Sequence, residues 1–321
     1  MSKALPWRPR ASNSCLRVRA NLNEKIRAFF AERDVLEVET PLLASHTVTD
    51  PNLEPLSVRA SQASTAPRYL QTSPEFAMKR LLAAGSGPIY QLCKAFRDGE
   101  QGKRHNPEFT MLEWYRPGFT MAELMDEVAE LLDATLGEAN YNHITCRNAF
   151  SELLAIDPWE CSLEVLQARV RAHTSYEKGE LDRDSCFDLL LAHCIEPEFA
   201  KRGRVFLYDY LPSQAALAAC ATIDGIHVAR RFELYVDGIE LANGYQELLD
   251  VADLTRRAEL DNQALLTAGR SRRLVDPQFE AAMGYGLPEC AGVALGVDRL
   301  LMLMEGKSDV RDVLAFDWQR A

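Results

Sequence analysis

The run FELYVDGIELANGYQE, Phe232 to Glu247, sets carboxylates on both sides of a tight turn. Asp237-Gly238 is a two-residue hairpin signal of the type I′ kind, and the residues around it alternate apolar and polar. A regular hairpin pairs Val236 with Ile239, Tyr235 with Glu240 and Glu233 with Ala242. That register gathers Phe232, Leu234, Val236, Ile239 and Leu241 on one face and leaves Glu233 and Glu240 on the other. The two glutamates are then diagonal cross-strand neighbours, roughly 7–8 Å apart at the backbone. Like charges so placed call either for a cation between them or for open water. Mg²⁺ suits the pair, because it takes hard oxygen ligands and is commonly shared with nucleotide phosphates.

Further acids and two arginines widen the chemistry. In the strand EFTMLEWYR, Glu113 shares a face with Phe109, Met111 and Tyr115, where an unpaired carboxylate is costly. It therefore calls for a cation, either a structural Arg or Lys or the ammonium group of a substrate. Glu75 and Glu247 add to this demand, with no matching cluster of basic residues nearby in sequence. Arg97 ends YQLCKAFR and shares its face with the small residues Cys93 and Ala95, which leaves room for a ligand. In GVALGVDR, Gly292 and Gly296 permit close backbone approach, and Arg299 opens the helix that follows. A helix N-terminus with an arginine is a seat for phosphate. Two arginines for the ends of a triphosphate, paired acids for its metal and separate acids for an amine suit carboxylate activation by ATP. The product is an acyl-adenylate, with the arginines and metal stabilising charge on the attacked phosphate. A Walker A sequence and a GxGxxG opening a βαβ unit are both missing, so the usual nucleotide folds have no support.

The elements that must position these residues follow from the rest of the chain. Its 321 residues, 47% hydrophobic, suffice for one large domain or two ordinary ones. With no apolar run long enough to span a bilayer and no signal peptide, no membrane partner is expected. Eight cysteines without CxxC or Cys/His zinc spacing indicate reduced thiols and a cytoplasmic protein. The net charge of −11 argues against a broad nucleic-acid surface. Residues 1–13 read as a poorly ordered arm. A helix from Ser14 to about Arg33 leads to a short strand, Val35 to Glu39. Residues 44–67 form a loop region with one strand near Leu56–Val58. Ser73-Pro74-Glu75 opens a helix through Leu82, with proline in the first turn. Strands Ile89 to Arg97 and Glu108 to Arg116 flank the polar loop DGEQGKRHNP. A helix, Met121 to Leu136, precedes helical patterns and an acidic turn over 145–200. A strand beginning at Val205 to Tyr208, the hairpin, a polar helix from Val251 to Ala268 and a Gly-rich strand turning into a helix complete the chain. Antiparallel strand clusters separated by helices indicate an α+β fold, an antiparallel sheet flanked by helices.

Several of these stretches carry a family resemblance. ETPLL, with Pro41, resembles motif 1 of the class II aminoacyl-tRNA synthetases, their dimer-forming element. FRDGEQGKRHNPEFTMLEWY resembles motif 2, and GVALGVDR resembles motif 3. RRFELYVDGIELANGYQEL is similar to the segment of bacterial lysyl-tRNA synthetases between the last two. The resemblance runs from about residue 14 to the C-terminus and implies a class II catalytic domain over 14–321. Lysyl-tRNA synthetases carry an N-terminal OB-fold that reads the anticodon, and a chain starting almost at motif 1 is expected to have none. TSPEFAMKRLL and HNPEFTMLEWYR look instead like the truncated paralogues that ligate (R)-β-lysine to a lysine of translation elongation factor P.

Carried over by position, the resemblance implies ATP as co-substrate, Mg²⁺, (R)-β-lysine or lysine as substrate, elongation factor P as acceptor and a homodimer through motif 1. Arg97 would bind the α-phosphate and the carboxylate, and Arg299 the γ-phosphate, as the catalytic pair. Phe109 would stack on adenine, with Asn106, Asp98, Gly99 and Leu241 around the nucleotide. Glu233 and Glu240 would ligate Mg²⁺, and Gly296 would let the ligand approach motif 3. Ser73, Pro74 and Glu75 would hold the substrate near its reacting end. Glu113, Tyr115, Asn243 and Glu247 would bind the rest of the lysine. Motif 2 departs from its usual Arg-x-Glu, with Gly99 at the Glu position and Glu100 next to it. Ala294 stands where lysyl-tRNA synthetases have Gly, which narrows the pocket floor; one methyl discriminates by only about 10–200-fold. A minimal synthetase that charges tRNA is a second reading, which the acidic charge and the missing anticodon domain disfavour. A catalytically inactive paralogue is a third, and it should have lost phosphate or metal ligands that are present here.

Overall fold

A computed structural model describes residues 7–59, 67–176, 179 and 181–321. In chain order its helices are α1 (Asn13–Ala31), α2 (Glu75–Ala83), α3 (Met121–Leu136), α4 (Cys146–Leu154), α5 (Leu163–His173), α6 (Arg183–Leu190), α7 (Glu196–Phe199), α8 (Val251–Thr267), α9 (Pro277–Tyr285) and α10 (Val297–Met304). The strands are β1 (Leu36–Glu37), β2 (Leu43–Ala44), β3 (Ser57–Val58), β4 (Arg68–Leu70), β5 (Ile89–Phe96), β6 (Glu108–Pro117), β7 (Tyr141–Thr145), β8 (Arg204–Tyr210), β9 (Cys220–Ile223), β10 (Ile226–Val236), β11 (Ile239–Gln246) and β12 (Cys290–Gly296). The chain comprises two compact units. The first holds Met1–Phe119, Glu130–Gly137 and Leu249–Ala321, and the second Thr120–Ala129 and Glu138–Leu248.

In the first unit the main strands run in the order β1-β5-β6-β12, parallel between β1 and β5 and antiparallel thereafter. A small antiparallel sheet, β2-β4-β3, stands beside them. Helix α1 forms because Leu22, Ile26, Phe29 and Phe30 recur at helical spacing and all are buried. Ser12 caps it, its hydroxyl accepting from the Cys15 amide at 3.2 Å. Phe30 stacks on Tyr90 with centroids 4.3 Å apart and meets Trp114 edge-on at 5.4 Å. That contact seals one face of β5 and β6. Strand alternation turns Gln91, Cys93, Glu113 and Tyr115 to the opposite face. Phe76 of α2 stacks on Phe279 of α9 at 4.4 Å, which fixes the helix beginning at Glu75.

In the second unit the order is β11-β10-β8-β7, with β9 paired to β10. The pairs are antiparallel except β7 with β8. Helices α4 to α6 pack a buried cluster against β8 and β10, centred on Phe150 and Phe187 stacked at 4.6 Å.

The expected α+β architecture and nearly every expected element are present. Strands β2, β4, β7 and β9 and helix α9 add to them. The arm is different from expectation where it is described. From residue 8 onward it runs along the C-terminal segment, with Arg10 N–H donating to Ala315 O (2.8 Å) and Ala11 N–H to Leu314 O (3.0 Å). The Arg10 guanidinium meets Asp312 at 2.9 Å, Asp317 at 3.5 Å and Asp309 at 3.8 Å. Residues 1–6 of the arm, and 60–66 of the expected loop region, lie outside the described residues. No helix among the described residues is long and apolar enough to cross a membrane.

Candidate functional site

The face of β5-β6-β12 opposite Phe30 in the first unit is built from short rows of paired residues. Gln91, Glu113 and Ala294 form one row, and Cys93, Met111 and Gly296 another. Paired residues on one face sit roughly 5 Å apart at Cβ. The β12 positions on this face, Gly292, Ala294 and Gly296, are all small, so the floor stays open beside Glu113. Cys93 belongs to that floor. Burial first, and Glu113 second, push its thiol up to about 12, against the Gln71 hydrogen bond, so it is an inert small side chain.

Glu113 is buried, and its oxygens accept from neutral hydroxyls: Ser73 Oγ at 2.7 Å and Tyr115 OH at 2.6 Å. The cation nearby is Lys79, itself buried, whose ammonium donates to Glu75 at 2.6 Å. Within the protein, Glu113 is thus met by a hydroxyl pair rather than by a structural Arg or Lys, with Lys79 acting from Glu75. Burial pushes the Glu113 carboxyl up to about 8, and the charge of Glu75 adds to the rise. The hydroxyls of Tyr115 and Ser73, and Lys79, oppose it. Ser73 Oγ also accepts from the Glu75 amide at 3.0 Å, so Ser73-Pro74-Glu75 is held as one turn at the start of α2. The missed residue is Lys79. Its spacing of four from Glu75 within a helix was the available signal.

Arg97 follows β5 along the same edge. Its Nε donates to Thr72 O at 3.4 Å, its guanidinium meets Glu100 at 3.7 Å, and it stands 5.1 Å from the Phe109 ring centroid. Glu100, the acid displaced by one from the usual motif 2 position, therefore reaches Arg97. Asp98 N–H donates to Glu54 O at 2.8 Å. The Asp98 carboxylate accepts from Gly99 N–H at 2.9 Å, and Gly99 turns the chain at a φ of 77°. Asn106 has both ends of its amide in use, donating to Glu108 O (2.6 Å) and accepting from Trp318 N–H (2.9 Å). Arg299 donates to Arg104 O at 3.2 Å and lies 2.7 Å from His105 Nε2, which must accept because a guanidinium only donates. A Cβ on Gly296 would meet the Arg299 side chain at an ordinary 3.7 Å. Asp298 was not anticipated. Buried at the start of α10, it accepts from Arg19 (2.5 Å) and from the Thr110 amide (2.7 Å), locking motif 3 to α1 and β6.

In the second unit the hairpin turn is as expected, with positive φ at Asp237 (50°) and Gly238 (75°). The register is not. Tyr235 pairs with Glu240, but Leu234 pairs with Ala242 and Glu233 with Asn243, so Leu241 is the extra residue of a bulge. The bulge reverses the alternation beyond it. Glu240, Asn243 and Glu247, which a regular strand would split between faces, fall on one face with Glu233 and Tyr235. The positive group beside Glu233 is Arg231, two residues away on that face, and the Tyr235 hydroxyl also donates to it. Glu233 is buried in these contacts. Glu240 and Asn243 are partly exposed and Leu241 is buried. The Asn243 Oδ1 atom is buried with no hydrogen-bond partner among the described residues. Glu247 is buried at the end of the strand, where it bridges to Ala218. Among the described residues no group of three or more His, Cys, Asp or Glu is arranged to hold a metal ion.

The family profile "tRNA synthetases class II (D, K and N)" matches residues 2–320. The chain is 47% identical over 320 residues to "Elongation factor P--(R)-beta-lysine ligase" of Pseudoalteromonas translucida, covering 98% of each chain. It is 45% identical to the protein of that name from Hamiltonella defensa and 44% identical to that from Salmonella gallinarum, both over 326 residues and 100% of each chain.

The hydroxyl-bound Glu113 gives a pH test. The folded chain keeps a proton there between the unfolded carboxyl value of about 4.3 and about 8. Its contribution to stability is full below the unfolded value, erodes as pH rises and is gone once pH passes about 8. Denaturant titrations without ligand should show the native chain losing stability, relative to Glu113→Gln, from about pH 5 to 8. Parallel profiles for the two chains would mean that Glu113 is already ionised in the fold.

Proposed function

We propose, from the fact that this chain belongs to the class II tRNA synthetase (D, K and N) family, that it is an ATP-dependent ligase joining (R)-β-lysine to a lysine side chain of elongation factor P. End-to-end similarity to ligases of that name supports the substrate and the acceptor. The observation that carries the reading is the Glu113 cradle. A buried carboxyl, held by two hydroxyls beside Glu75 and above a floor of small residues, is a seat for an ammonium group. Glu75, Ser73 and Tyr115 complete it. In the second unit, the family resemblance assigns Asn243, with its buried unpartnered oxygen, and Glu247 to amino acid binding.

The reaction has two steps. The amino acid carboxylate attacks the α-phosphorus of ATP, pyrophosphate leaves and an acyl-adenylate forms. The neutral ε-amine of the acceptor lysine then attacks the acyl carbonyl, AMP leaves with the bonding electrons, and the nitrogen loses a proton to give the amide. Arg97 and Arg299 are assigned to the α- and γ-phosphates, where fixed positive charge lowers the barrier. Displacing the Arg299–His105 contact frees the guanidinium for phosphate. The turn at Asp98 and Gly99 and the Phe109 ring take the nucleotide, and Asn106 supports it through the backbone it holds; in the second unit the resemblance assigns Leu241 to nucleotide binding. Glu233, with Arg231 beside it, and Glu240 on the same face are assigned to Mg²⁺; when bound, the ion would offset phosphate charge. Ala294, paired with Glu113 across the sheet, brings its methyl beside the amine seat, which favours a displaced amine.

Motif 1 carries exposed leucines, with Leu36 at 57%, Leu42 at 39% and Leu43 at 44%, which supports a homodimer through that segment. The eight free thiols suit the cytoplasm.

Mass spectrometry of elongation factor P after incubation with this protein, ATP and each lysine isomer should show one added residue, fastest with (R)-β-lysine. Unmodified factor together with acylated bulk tRNA would replace this reading with the minimal synthetase. Glu240→Ala should abolish lysine-dependent pyrophosphate exchange, whereas Glu247→Gln should raise KM for the amino acid about tenfold or more with KM for ATP little changed. Native exchange rates in the first variant would remove Glu240 from the metal. Sedimentation should give a dimer that Leu36→Glu dissociates; a native monomer would overturn that assignment.

A further inference from the structure

We propose that Arg273 is a positioning residue for ATP, acting through the segment 48–54 on the turn at Asp98 and Gly99; the inference rests on the reading of that turn as a nucleotide contact. Segment 48–54 contains no helix or strand, so its carbonyl groups must find partners elsewhere. Arg273 supplies them. Its guanidinium donates to Leu53 O at 2.6 Å, Asp50 O at 2.9 Å and Val48 O at 3.4 Å, and to the Glu54 carboxylate at 2.7 Å. Arg270 donates to Pro51 O and to the same carboxylate.

The arginine is itself held from behind. Asn262 of α8, buried, accepts from the Arg273 amide at 2.7 Å and donates to the Arg273 carbonyl at 2.9 Å. Thr49 adds a bond to Asp261 at 2.6 Å. The far end of the clamped segment touches the site, because Glu54 O accepts from Asp98 N–H at 2.8 Å. Asp98 stands between Arg97 and Gly99, so the path from α8 to the nucleotide turn is one unbroken series of hydrogen bonds. Lysine cannot replace this arginine, since one ammonium cannot reach several carbonyls and a carboxylate in a fixed planar fork.

The test is Arg273→Lys and Arg270→Ala, read by direct ATP and lysine binding and by pyrophosphate exchange. Arg273→Lys should weaken ATP binding and raise KM for ATP about tenfold or more, with lysine binding changed less than about twofold. Arg270→Ala, which leaves Arg273 in place, should move ATP binding in the same direction by less. Equal losses for both ligands, or a lowered melting temperature with native ATP affinity, would overturn the proposal and leave Arg273 a structural residue. A native protein that binds ATP yet catalyses no exchange would sink the ligase reading instead, and the ratio of ATP affinities would still decide this one.

Discussion

Both oxygens of Glu113 accept hydrogen bonds from neutral hydroxyls in a buried setting, and the first unit is arranged around the cost of that placement. Burial, with Glu75 adding to it, pushes the carboxyl up to about 8 against the opposing hydroxyls and Lys79. Ser73 can reach it because the Ser73-Pro74-Glu75 turn starts a helix whose first ring, Phe76, is pinned on Phe279. Tyr115 can reach it because residues two apart on a strand share a face. Helix α1, through Phe30, closes the opposite face against water.

The second unit shows how one extra residue decides which side chains act together. With a regular register the hairpin would send Glu240 to one face and Asn243 and Glu247 to the other. The bulge at Leu241 turns them the same way. Leu241 is buried, so the bulge has a packing partner on the apolar side and is not a slack in the strand. The acids of this hairpin are thereby divided by environment: Glu233 is buried beside Arg231, and Glu240 is partly exposed.

How far the sequence can be read depends on how local the signal is. Alternation, helical spacing and the Asp-Gly turn are local, and they place α1, α2, β5, β6, β11 and α8 within a few residues of their observed ends, whereas β10 begins at Ile226, six residues before the hairpin run. The partners of Glu75 and Glu233 were also legible: Lys79 lies four residues along a helix and Arg231 two along a strand. The bulge was not, because alternation on both sides of a turn carries no mark of where one residue is skipped. Nor were the contacts that hold the motifs in place. Asp298 with Arg19, Asn106 with Trp318 and Glu54 with Arg273 join residues more than two hundred positions apart. Only the packed fold brings such pairs together.

If the proposed amine seat holds, selectivity between amines at neighbouring carbons follows from the same constraint. The Ala294 methyl beside Glu113 acts by shape, and shape differences of one methyl are worth only about 1–3 kcal/mol. A buried carboxyl that must first surrender its proton acts by charge. It gains from the ligand only when the ammonium comes into contact, because an ammonium one bond too far leaves both charges desolvated and unpaired. The energy of that mismatch grows as the surroundings become less polar, which is the condition that the small floor, the hydroxyl pair and the sealed far face create. The methyl then needs only to set where the amine can lie, and the protonation of Glu113 converts that difference in position into a difference in binding.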